Sequence, residues 1–391
     1  MSYKRLFTRF LSASPDRVHF AAHSHHFWPD VTLDAQQRAW IDAATLADQK
    51  WEKIFGEVIP RAQAHVARVL RLPDPATIVF APNTHELLVR ILSSLPLGRP
   101  HRVLTSDGEF HSFTRQMARL EEEGLALVTR VPCRPFETFA ARWATAARTT
   151  DFDLAYVSHV FFDSGFANEL EPLVRSIQQA GTVIVIDGYH GFCALPTDLS
   201  RIAERTVYLS GGYKYAMSGE GACFAHVPSG WIERPRMTGW FAAFGALRNP
   251  HAGSVPYAPG GARLMGATFD PVGLYRFNDV MDLLVAEKLN VESIHEHVHR
   301  LQVRFVREIA MRKTPLVESA LLVPLSEPNR GHFLTYALAN AHDLHTRLLA
   351  HNVVTDVRGD RLRFGFGLYH DDDDIVLGAD RIARARWNRT R

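Results

Sequence analysis

Two side chains with complementary chemistry follow neighbouring predicted strands near the middle of the chain. Asp187 comes directly after the apolar run Val183–Ile186, and Lys214 follows the run Val207–Ser210 and a Gly-Gly turn. Parallel strands end at one edge of their sheet, so both side chains are expected there. A lysine amine can form a Schiff base with an aldehyde, and a carboxylate can keep a pyridine nitrogen protonated. The pair therefore predicts a site for pyridoxal 5'-phosphate (PLP).

Each residue of this pair has a simpler interpretation when it is taken alone. Asp187 could be a helix N-cap or a turn residue, and Lys214 could be a solvated loop lysine. A third segment adds to the PLP interpretation, since the stretch 80–86 (Phe-Ala-Pro-Asn-Thr-His-Glu) follows a strand and opens a helix. Unpaired N–H groups at the start of a helix bind phosphate. The alternative for this stretch is an N-capped helix without a ligand.

The elements that must position these residues alternate between strand and helix. Short β-branched runs at 77–80, 102–105, 154–157, 182–186 and 207–210 predict strands, and the patterns at 85–94 and 171–180 predict helices, the second closed by Gly181. Alternation predicts an α/β domain with a mostly parallel sheet. Residues 228–272 read as long loops.

The last third of the chain reads as a smaller α+β unit. A long helical stretch runs from Asp270 towards Arg312, and strands are predicted at 320–324, 332–336, 353–357 and 361–366. The acidic run 371–374 is interpreted as the cap of the final helix. We expect three parts: an N-terminal segment near the active site (1–45), a large PLP-binding domain (46–270) and a small C-terminal domain (271–391).

Composition excludes several classes of protein. The 391 residues are 46% hydrophobic and 22% charged, which is ordinary for a globular chain, and 44 basic against 42 acidic residues leave a net charge of +2. Nucleic acid and membrane surfaces are therefore not expected as partners. Three scattered cysteines suit a reducing compartment. No run approaches the roughly 20 apolar residues of a membrane span, and the charged N-terminus lacks a secretory signal, so a cytoplasmic protein is expected.

The central motifs resemble those of a known family. Asp187-x-x-His190 and Ser210-Gly-Gly-Tyr-Lys214 resemble the class V aminotransferase superfamily of fold-type I PLP enzymes, and the Tyr-Lys pair is most similar to kynureninases. The resemblance implies that Asp187 holds the pyridine nitrogen and that His190 lies near the 3-hydroxyl group of the cofactor. It also implies that Lys214 forms the internal aldimine and that Tyr213 contacts the phosphate and assists protonation.

The same resemblance assigns further cofactor contacts. Thr84 and His85 are expected to bind the phosphate, although Asn83 stands where the family has Gly. Phe110 is expected to stack on the pyridine ring, the alternative being a core aromatic residue. Asp163 and Ser164 match the loop that lines the 3-hydroxyl side.

Two more segments are similar to family segments near the phosphate. Trp240, in Gly239-Trp-Phe241, is expected near the substrate and the phosphate, and an ordinary loop anchor is the alternative. Thr268 resembles the residue that reaches the cofactor phosphate of a neighbouring subunit. It therefore implies a homodimer with shared active sites.

Substrate contacts are expected from both ends of the chain. Arg363 resembles the arginine that binds the substrate α-carboxylate, since a guanidinium can donate two parallel hydrogen bonds to it. Arg361, on the same strand face, is its rival. His26, or its neighbour His25, is the candidate substrate contact in the cluster His-Ser-His-His.

The chain has a second histidine cluster, in which His295 and His299 would share a helix face. The cluster lacks a third ligand and the HExxH spacing, so no metal site is expected.

These inferences predict a PLP enzyme of kynureninase type. It would hydrolyse the Cβ–Cγ bond of a kynurenine-like β-acyl amino acid through a Lys214 aldimine. The alternatives are another class V activity, such as transamination or lyase chemistry on a different amino acid, and a non-catalytic protein with the PLP fold. Desulfuration needs a thiolate on a loop before the C-terminal strands, and no cysteine follows Cys223.

Overall fold

A computed structural model describes residues 2–246, 253–312, 314 and 316–385. The strands are β1 Val18–His19, β2 Ile78–Ala81, β3 His101–Ser106, β4 Ala126–Val131, β5 Leu154–Ser158, β6 Val183–Asp187, β7 Val207–Gly211, β8 Cys223–His226, β9 Phe333–Ala337, β10 Val353–Val354, β11 Asp356–Arg358 and β12 Arg361–Gly365. The α-helices are α1 Thr8–Ser12, α2 Val31–Leu46, α3 Lys50–Lys53, α4 Ile59–Leu70, α5 Thr84–Leu92, α6 His111–Glu122, α7 Phe139–Ala146, α8 Leu170–Arg175, α9 Val272–Ala286, α10 Val291–Met311, α11 Ala341–Ala350 and α12 Asp372–Arg384.

A seven-stranded sheet with the order β2-β8-β7-β6-β5-β3-β4 forms the centre of the molecule. The five strands from β7 to β4 are mutually parallel, and β8 is antiparallel to both of its neighbours. The middle strands are buried nearly throughout because their apolar runs are covered on both faces. This mostly parallel sheet confirms the predicted α/β class.

The parallel strands bring the predicted site residues to one edge of the sheet. Asp187 is the last residue of β6, and β7 ends three residues before Lys214. Steric constraints explain the two glycines, Gly211 and Gly212, at the end of β7 before Lys214. A Cβ on Gly211 would lie 2.4 Å from the hydroxyl oxygen of Tyr189, and one on Gly212 would lie 2.1 Å from Ser218 Oγ. Larger residues at these two positions would push the lysine turn away from the sheet.

Several predicted elements differ from the observed ones. The helix expected to reach Ala180 ends at Arg175, and Gly181 does not cap it. Pro172 lies in the first turn of this helix. Only Leu173 and Val174 follow it as buried apolar residues, so the helix packs for little more than one turn. The strand expected at 320–324 is replaced by the 3₁₀ turn Glu318–Ala320 and a single bridge at Leu321. Pro324 cannot donate to a strand ladder, which agrees with this difference.

Two predicted elements are divided in the structure, and two observed strands were absent from the prediction. The stretch after Asp270 forms two helices, α9 and α10, and the strand predicted at 353–357 is split into β10 and β11. The edge strand β4 and the antiparallel β8 were not predicted. Within 228–272, the structure has 3₁₀ segments at Trp240–Ala246 and Gly260–Leu264, while residues 247–252 lie outside the described part.

A second, smaller hydrophobic core packs around the three-stranded antiparallel sheet β11-β12-β9. The N-terminal segment belongs to this core, because β1 pairs in parallel with β10 and Phe20 is completely buried there. Helix α9, by contrast, packs with the large core. The division between 270 and 271 therefore does not coincide with the division of the two cores, and the limits of the three predicted domains stay a prediction.

The acidic run before the last helix has the predicted role. Asp371 is the N-cap of α12, and its side chain accepts hydrogen bonds from the N–H groups of Asp373 and Asp374. Asp374 completes a capping box by accepting from the N–H group of Asp371. The carboxylates also lie at the positive end of the helix dipole.

Among the described residues, no helix is long and apolar enough to cross a membrane. The same residues contain no group of three or more histidine, cysteine, aspartate or glutamate side chains that could hold a metal ion. His295 and His299 do share a helix face, with ring centroids 3.9 Å apart.

The buried position of Phe20 leads to a prediction for the N-terminal segment. Its ring packs against Phe305 and Phe366, with centroids 5.2 and 5.5 Å away. Phe20→Ala should lower the free energy of unfolding by about 3 to 5 kcal/mol, because it leaves a cavity in a filled core. Urea unfolding followed by circular dichroism measures this loss.

Leu349→Ala is the control, since Leu349 on α11 is 52% exposed. Leu349→Ala should lower the free energy of unfolding by no more than about 0.5 kcal/mol. Equal small losses in both variants would mean that the N-terminal segment does not contribute to the smaller core.

Candidate active site

Lys214 lines a cavity of about 440 Å³ at the carboxyl edge of the sheet. Its Nζ is 2.7 Å from His190 Nε2 and lies over the ring of Tyr189 at 4.9 Å. Phe110 and Tyr213 are each 5.7 Å away, measured from Nζ to the ring centroid. Burial lowers the pKa of Lys214 to about 7, and the charge of Asp187 opposes this shift. A substantial fraction of the amine is thus uncharged and nucleophilic near neutral pH.

The carboxylate of Asp187 lines the same cavity and is held by two donors. Oδ1 accepts from the backbone N–H group of Tyr189 at 3.0 Å, and Oδ2 accepts from the hydroxyl group of Tyr156 at 2.9 Å. Burial raises the pKa of Asp187, while these two hydrogen bonds and the charge of Lys214 oppose the shift. An ionised carboxylate accepts about four hydrogen bonds, so acceptor capacity remains.

The beginning of helix α5 forms another part of the cavity wall. Asn83 is its N-cap and accepts from the N–H group of Glu86 at 3.0 Å, while Thr84 and His85 begin the first turn. All three residues line the cavity. The positive end of this helix therefore faces it, as phosphate binding requires. Asn83 serves as the N-cap of the helix at the position where a family glycine was expected.

The structure brings seven predicted residues together around one cavity. They are Thr84, His85, Phe110, Asp187, His190, Tyr213 and Lys214. Their chemistry fits PLP: an amine for its aldehyde, a carboxylate for its ring nitrogen, a helix start for its phosphate and an aromatic face for its ring. His190 supports this fit, because its Nδ1 is buried without a partner among the described residues. The individual roles of these residues stay predictions.

Arg363 and Asp163 do not line this cavity, and neither do four other predicted residues. Ser164 is buried, and its Oγ accepts from the N–H group of Phe166 at 3.3 Å. Trp240 is 45% exposed and packs against Phe241, and Thr268 lines a separate hollow. His85 lines both that hollow and the cavity.

His26 is the fourth of these residues. It is buried, its Nδ1 lies 2.7 Å from the carbonyl oxygen of Phe27, and its Nε2 accepts from the N–H group of Leu368 at 3.4 Å. Both ring nitrogens are therefore used within the fold. His25 lies closer to the site, with its ring centroid 6.4 Å from that of Tyr213.

The two arginines of β12 have different surroundings. Arg363 is 3% exposed, and its Nη2 is 2.9 Å from Asp356 Oδ2, opposite it on β11. Its Nη1 donates to the carbonyl oxygen of Phe162, which lines the cavity. Arg361 pairs with the exposed Asp360. The geometry therefore favours Arg363 over Arg361 as the residue near the site.

Glu109 is a buried carboxyl group that sequence reasoning did not select. It lies next to Phe110 and is 2% exposed. Its oxygens accept from the hydroxyl groups of Ser106 and Ser158, each at 2.5 Å, and from the N–H group of Ser158 at 3.2 Å. Burial raises the pKa of Glu109 to about 8, and the nearby charge of Asp187 adds to this shift. The sequence contains one indication of this residue: Glu109 follows β3 closely, so it is expected at the carboxyl edge of the sheet.

The raised pKa of Glu109 predicts a pH dependence of stability. In the unfolded chain this group loses its proton at lower pH than in the fold, so the unfolded state binds fewer protons between about pH 5 and about pH 8. The free energy of unfolding should therefore fall as the pH rises through this range. Glu109→Gln should remove up to about 4 kcal/mol of this fall. Urea unfolding at several pH values measures it.

Glu52→Gln is the control, because Glu52 is an exposed residue of α3. It should leave the slope of stability against pH unchanged. If Glu109→Gln gave the same slope as the parent protein, the buried carboxyl group would not be the titrating one.

Comparison with a family model places this site in a known group. The model described as aminotransferase class-V matches residues 29–375. This range includes every element of the central sheet and most of the smaller unit.

Curated relatives match about half of the chain. An isopenicillin N epimerase of Streptomyces clavuligerus is 30% identical over 207 residues, covering 50% of this chain and 51% of the relative. A kynureninase of Burkholderia mallei is 26% identical over 223 residues, covering 54% and 51%. The matched part is thus about half the length of these relatives.

Solved structures match the fold over almost the whole chain. A lysine-to-alanine mutant of C-DES, with glycine covalently linked to its PLP cofactor, has a TM-score of 0.82 at 16% identity and covers 98% of this chain and 99% of its own. An apo cysteine desulfurase from Thermococcus onnurineus has a TM-score of 0.81 at 13% identity and covers 98% of each chain. These matches establish fold type I. The chain belongs to the aminotransferase class-V family, and its cofactor is pyridoxal 5'-phosphate.

Proposed function

We propose that this protein is a PLP-dependent enzyme of kynureninase type, which hydrolyses the Cβ–Cγ bond of a β-acyl α-amino acid. The observation that carries the proposal is the arrangement of Lys214 and Tyr213 on one cavity wall, with the buried Arg363 behind Phe162. An amine, a phenol and a guanidinium are the groups that this reaction needs from the protein. The kynureninase relative supports it.

When bound, PLP supplies an electron sink for the bonds at the substrate α-carbon. Lys214 Nζ would take the proton from this carbon, and its pKa of about 7 suits a group that accepts and returns a proton near neutral pH. His190, 2.7 Å away, would orient the amine. Asp187 would hold the positive charge of the ring nitrogen.

Tyr213 would act as the proton donor after bond cleavage. Burial raises the pKa of Tyr213 to about 12, so its phenol keeps the proton at neutral pH and can donate it. The ring packs on Tyr189 with centroids 5.1 Å apart, and both residues line the cavity. A transaminase does not need such a proton donor, because it breaks no Cβ–Cγ bond.

Aromatic side chains form much of the cavity wall. Phe110 and Phe162 meet edge to face at 5.5 Å, and Tyr189 and Tyr213 lie on the lysine side. Such walls suit a flat, aromatic acyl group on the substrate. We therefore favour a β-aroyl amino acid over a small aliphatic one.

Cysteine chemistry does not support desulfuration, the function named for the apo structural neighbour. The three cysteines, Cys133, Cys193 and Cys223, are all buried. Only Cys223 lines the cavity, and burial raises its pKa to about 11, so the thiol keeps its proton. A persulfide-forming nucleophile needs the opposite properties.

The test is a product assay of the purified, PLP-loaded protein. L-Kynurenine and 3-hydroxykynurenine are supplied in parallel with L-cysteine and with L-α-amino acids that lack an acyl group. The proposal expects L-alanine and an aromatic acid in equal amounts, and none from a Lys214→Ala control. Sulfide release, or inversion at the α-carbon without Cβ–Cγ cleavage, would contradict it.

The buried guanidinium leads to a prediction for substrate binding. Arg363→Lys should raise the amino-acid concentration that half-saturates the change in cofactor absorbance, because a lysine lacks the planar fork that grips a carboxylate. The expected loss is about 2 to 4 kcal/mol. The spectrum without amino acid should not change.

Arg361→Lys is the matched control on the same strand face. It should titrate like the parent protein, because Arg361 pairs with Asp360 outside the cavity. The reverse result, in which only Arg361→Lys weakens binding, would move the carboxylate contact to Arg361.

A further inference from the structure

His23 of the N-terminal cluster lies deeper in the fold than His25 or His26. It is completely buried, and neither of its ring nitrogens has a hydrogen-bond partner among the described residues. Buried polar atoms are nearly always partnered in folded proteins. An imidazole with both nitrogens unpaired therefore points to a ligand that supplies the missing partner.

The surroundings of His23 connect it to the candidate active site through one aromatic ring. Its imidazole stacks on Phe333 with centroids 4.7 Å apart, and the ring of His190 packs on the same phenylalanine at 5.3 Å. The guanidinium carbon of Arg363 lies 5.8 Å from the Phe333 centroid. Three nitrogen-bearing side chains thus surround a single ring.

Each of these three side chains keeps an unused nitrogen. Besides the two of His23, they are His190 Nδ1 and Arg363 Nε, both buried and unpartnered among the described residues. One strand residue opposite Arg363, Thr335, adds an unpartnered hydroxyl group. This concentration of unsatisfied groups distinguishes the region around Phe333 from an ordinary core.

The charges nearby decide what kind of ligand fits. Burial, together with the charges of Arg363 and Lys214, lowers the pKa of His23 well below its ordinary value, so its ring is neutral and carries one N–H donor. Arg363 supplies the positive charge. A neutral donor beside a guanidinium suits an anion with several acceptor sites, such as a carboxylate.

We propose that His23 is a specificity-determining residue, which donates a hydrogen bond to the α-carboxylate of the amino-acid substrate beside Arg363. The inference rests on the proposed function only in that the substrate is an α-amino acid, and it does not depend on which bond is broken. Phe162 connects this region with the cavity, since its carbonyl oxygen accepts from Arg363 and the same residue lines the cavity wall.

The strand that carries Arg363 leaves space for this imidazole. A Cβ on Gly365, two residues after Arg363 on the same face of β12, would lie 2.1 Å from His23 Nδ1. The glycine therefore lets the His23 ring approach the strand next to the guanidinium. A bulkier residue would exclude it.

The experiment compares two probes that differ only by a carboxylate. L-Phenylalanine and 2-phenylethylamine are titrated separately into the PLP-loaded protein, and the change in cofactor absorbance gives their dissociation constants. His23→Phe should weaken L-phenylalanine binding about ten- to hundredfold, the effect of one hydrogen bond to a charged group. It should leave 2-phenylethylamine within about threefold of the parent value.

His226→Phe is the matched control, because His226 is a buried histidine on β8 whose ring nitrogens contact Thr77 and the carbonyl oxygen of Ala203. It should leave the preference for the carboxylate unchanged. If the His23→Phe variant does not retain PLP, the same two titrations are carried out on the His23→Ala variant.

Two outcomes would overturn the inference. An equal loss of affinity for both probes would make His23 a structural residue, and an unchanged affinity for L-phenylalanine would remove it from the carboxylate site. Failure of the proposed function looks different, since the product assay would then give no L-alanine from L-kynurenine, while the comparison of the two probes would be unaffected.

Discussion

A lysine amine buried against an imidazole is the interaction on which the rest of this site depends. Lys214 and His190 are 2.7 Å apart, and burial moves the pKa of the amine to about 7. Burying an ammonium group costs free energy, so a reactive amine is obtained at the expense of stability. The surrounding sheet has to supply that stability. The long apolar strands β5, β6 and β7 do so by placing their polar ends together at one edge.

The network around Asp187 extends this constraint. Tyr156 donates to Asp187 from the neighbouring strand, and Ser158, which pairs with Asp187 in the sheet register, donates to Glu109. The hydrogen bonds of Tyr156 and Ser158 thus hold two buried carboxyl groups on neighbouring parts of the sheet. Burial raises the pKa of both groups, to about 8 for Glu109, where the nearby charge of Asp187 adds to the shift.

The smaller core carries the groups that we propose for substrate binding. Arg363 lies on β12 and is held by Asp356 on β11, while β1 of the N-terminal segment pairs with β10. The chain therefore brings its two ends together beside the cavity. His23 reaches the Phe333 ring only because the N-terminal segment packs on this sheet.

Much of the fold and the centre of the site could be predicted because both depend on local patterns. Apolar β-branched runs predict the strands. Asp187 and Lys214 come at or just after the ends of two parallel strands, so both are expected at one edge of the sheet. The antiparallel β8 could not be predicted, since strand direction depends on distant pairing. The helix predicted over 171–180 was found, but its end at Arg175 was not predicted, because the apolar periodicity continues past the packed turn.

The remaining errors in the site arise from tertiary packing. His23, His25 and His26 are nearly equivalent in the sequence, but the fold gives His26 two partners and leaves His23 with none among the described residues. Glu109 was not predicted, because its buried position depends on Ser106 and Ser158, which donate to it in the folded chain. Whether Thr268 belongs to a shared dimer site depends on a second subunit, so homodimer formation stays a prediction.

The most direct test of the account is the identity of the lysine that binds the cofactor. The PLP-loaded protein is reduced with borohydride, digested, and analysed by mass spectrometry for the peptide that carries the reduced cofactor. The account predicts that the label is on Lys214 alone, with the denatured protein as the control for nonspecific attachment. A label on Lys50, Lys53 or another lysine, with Lys214 unmodified, would contradict it.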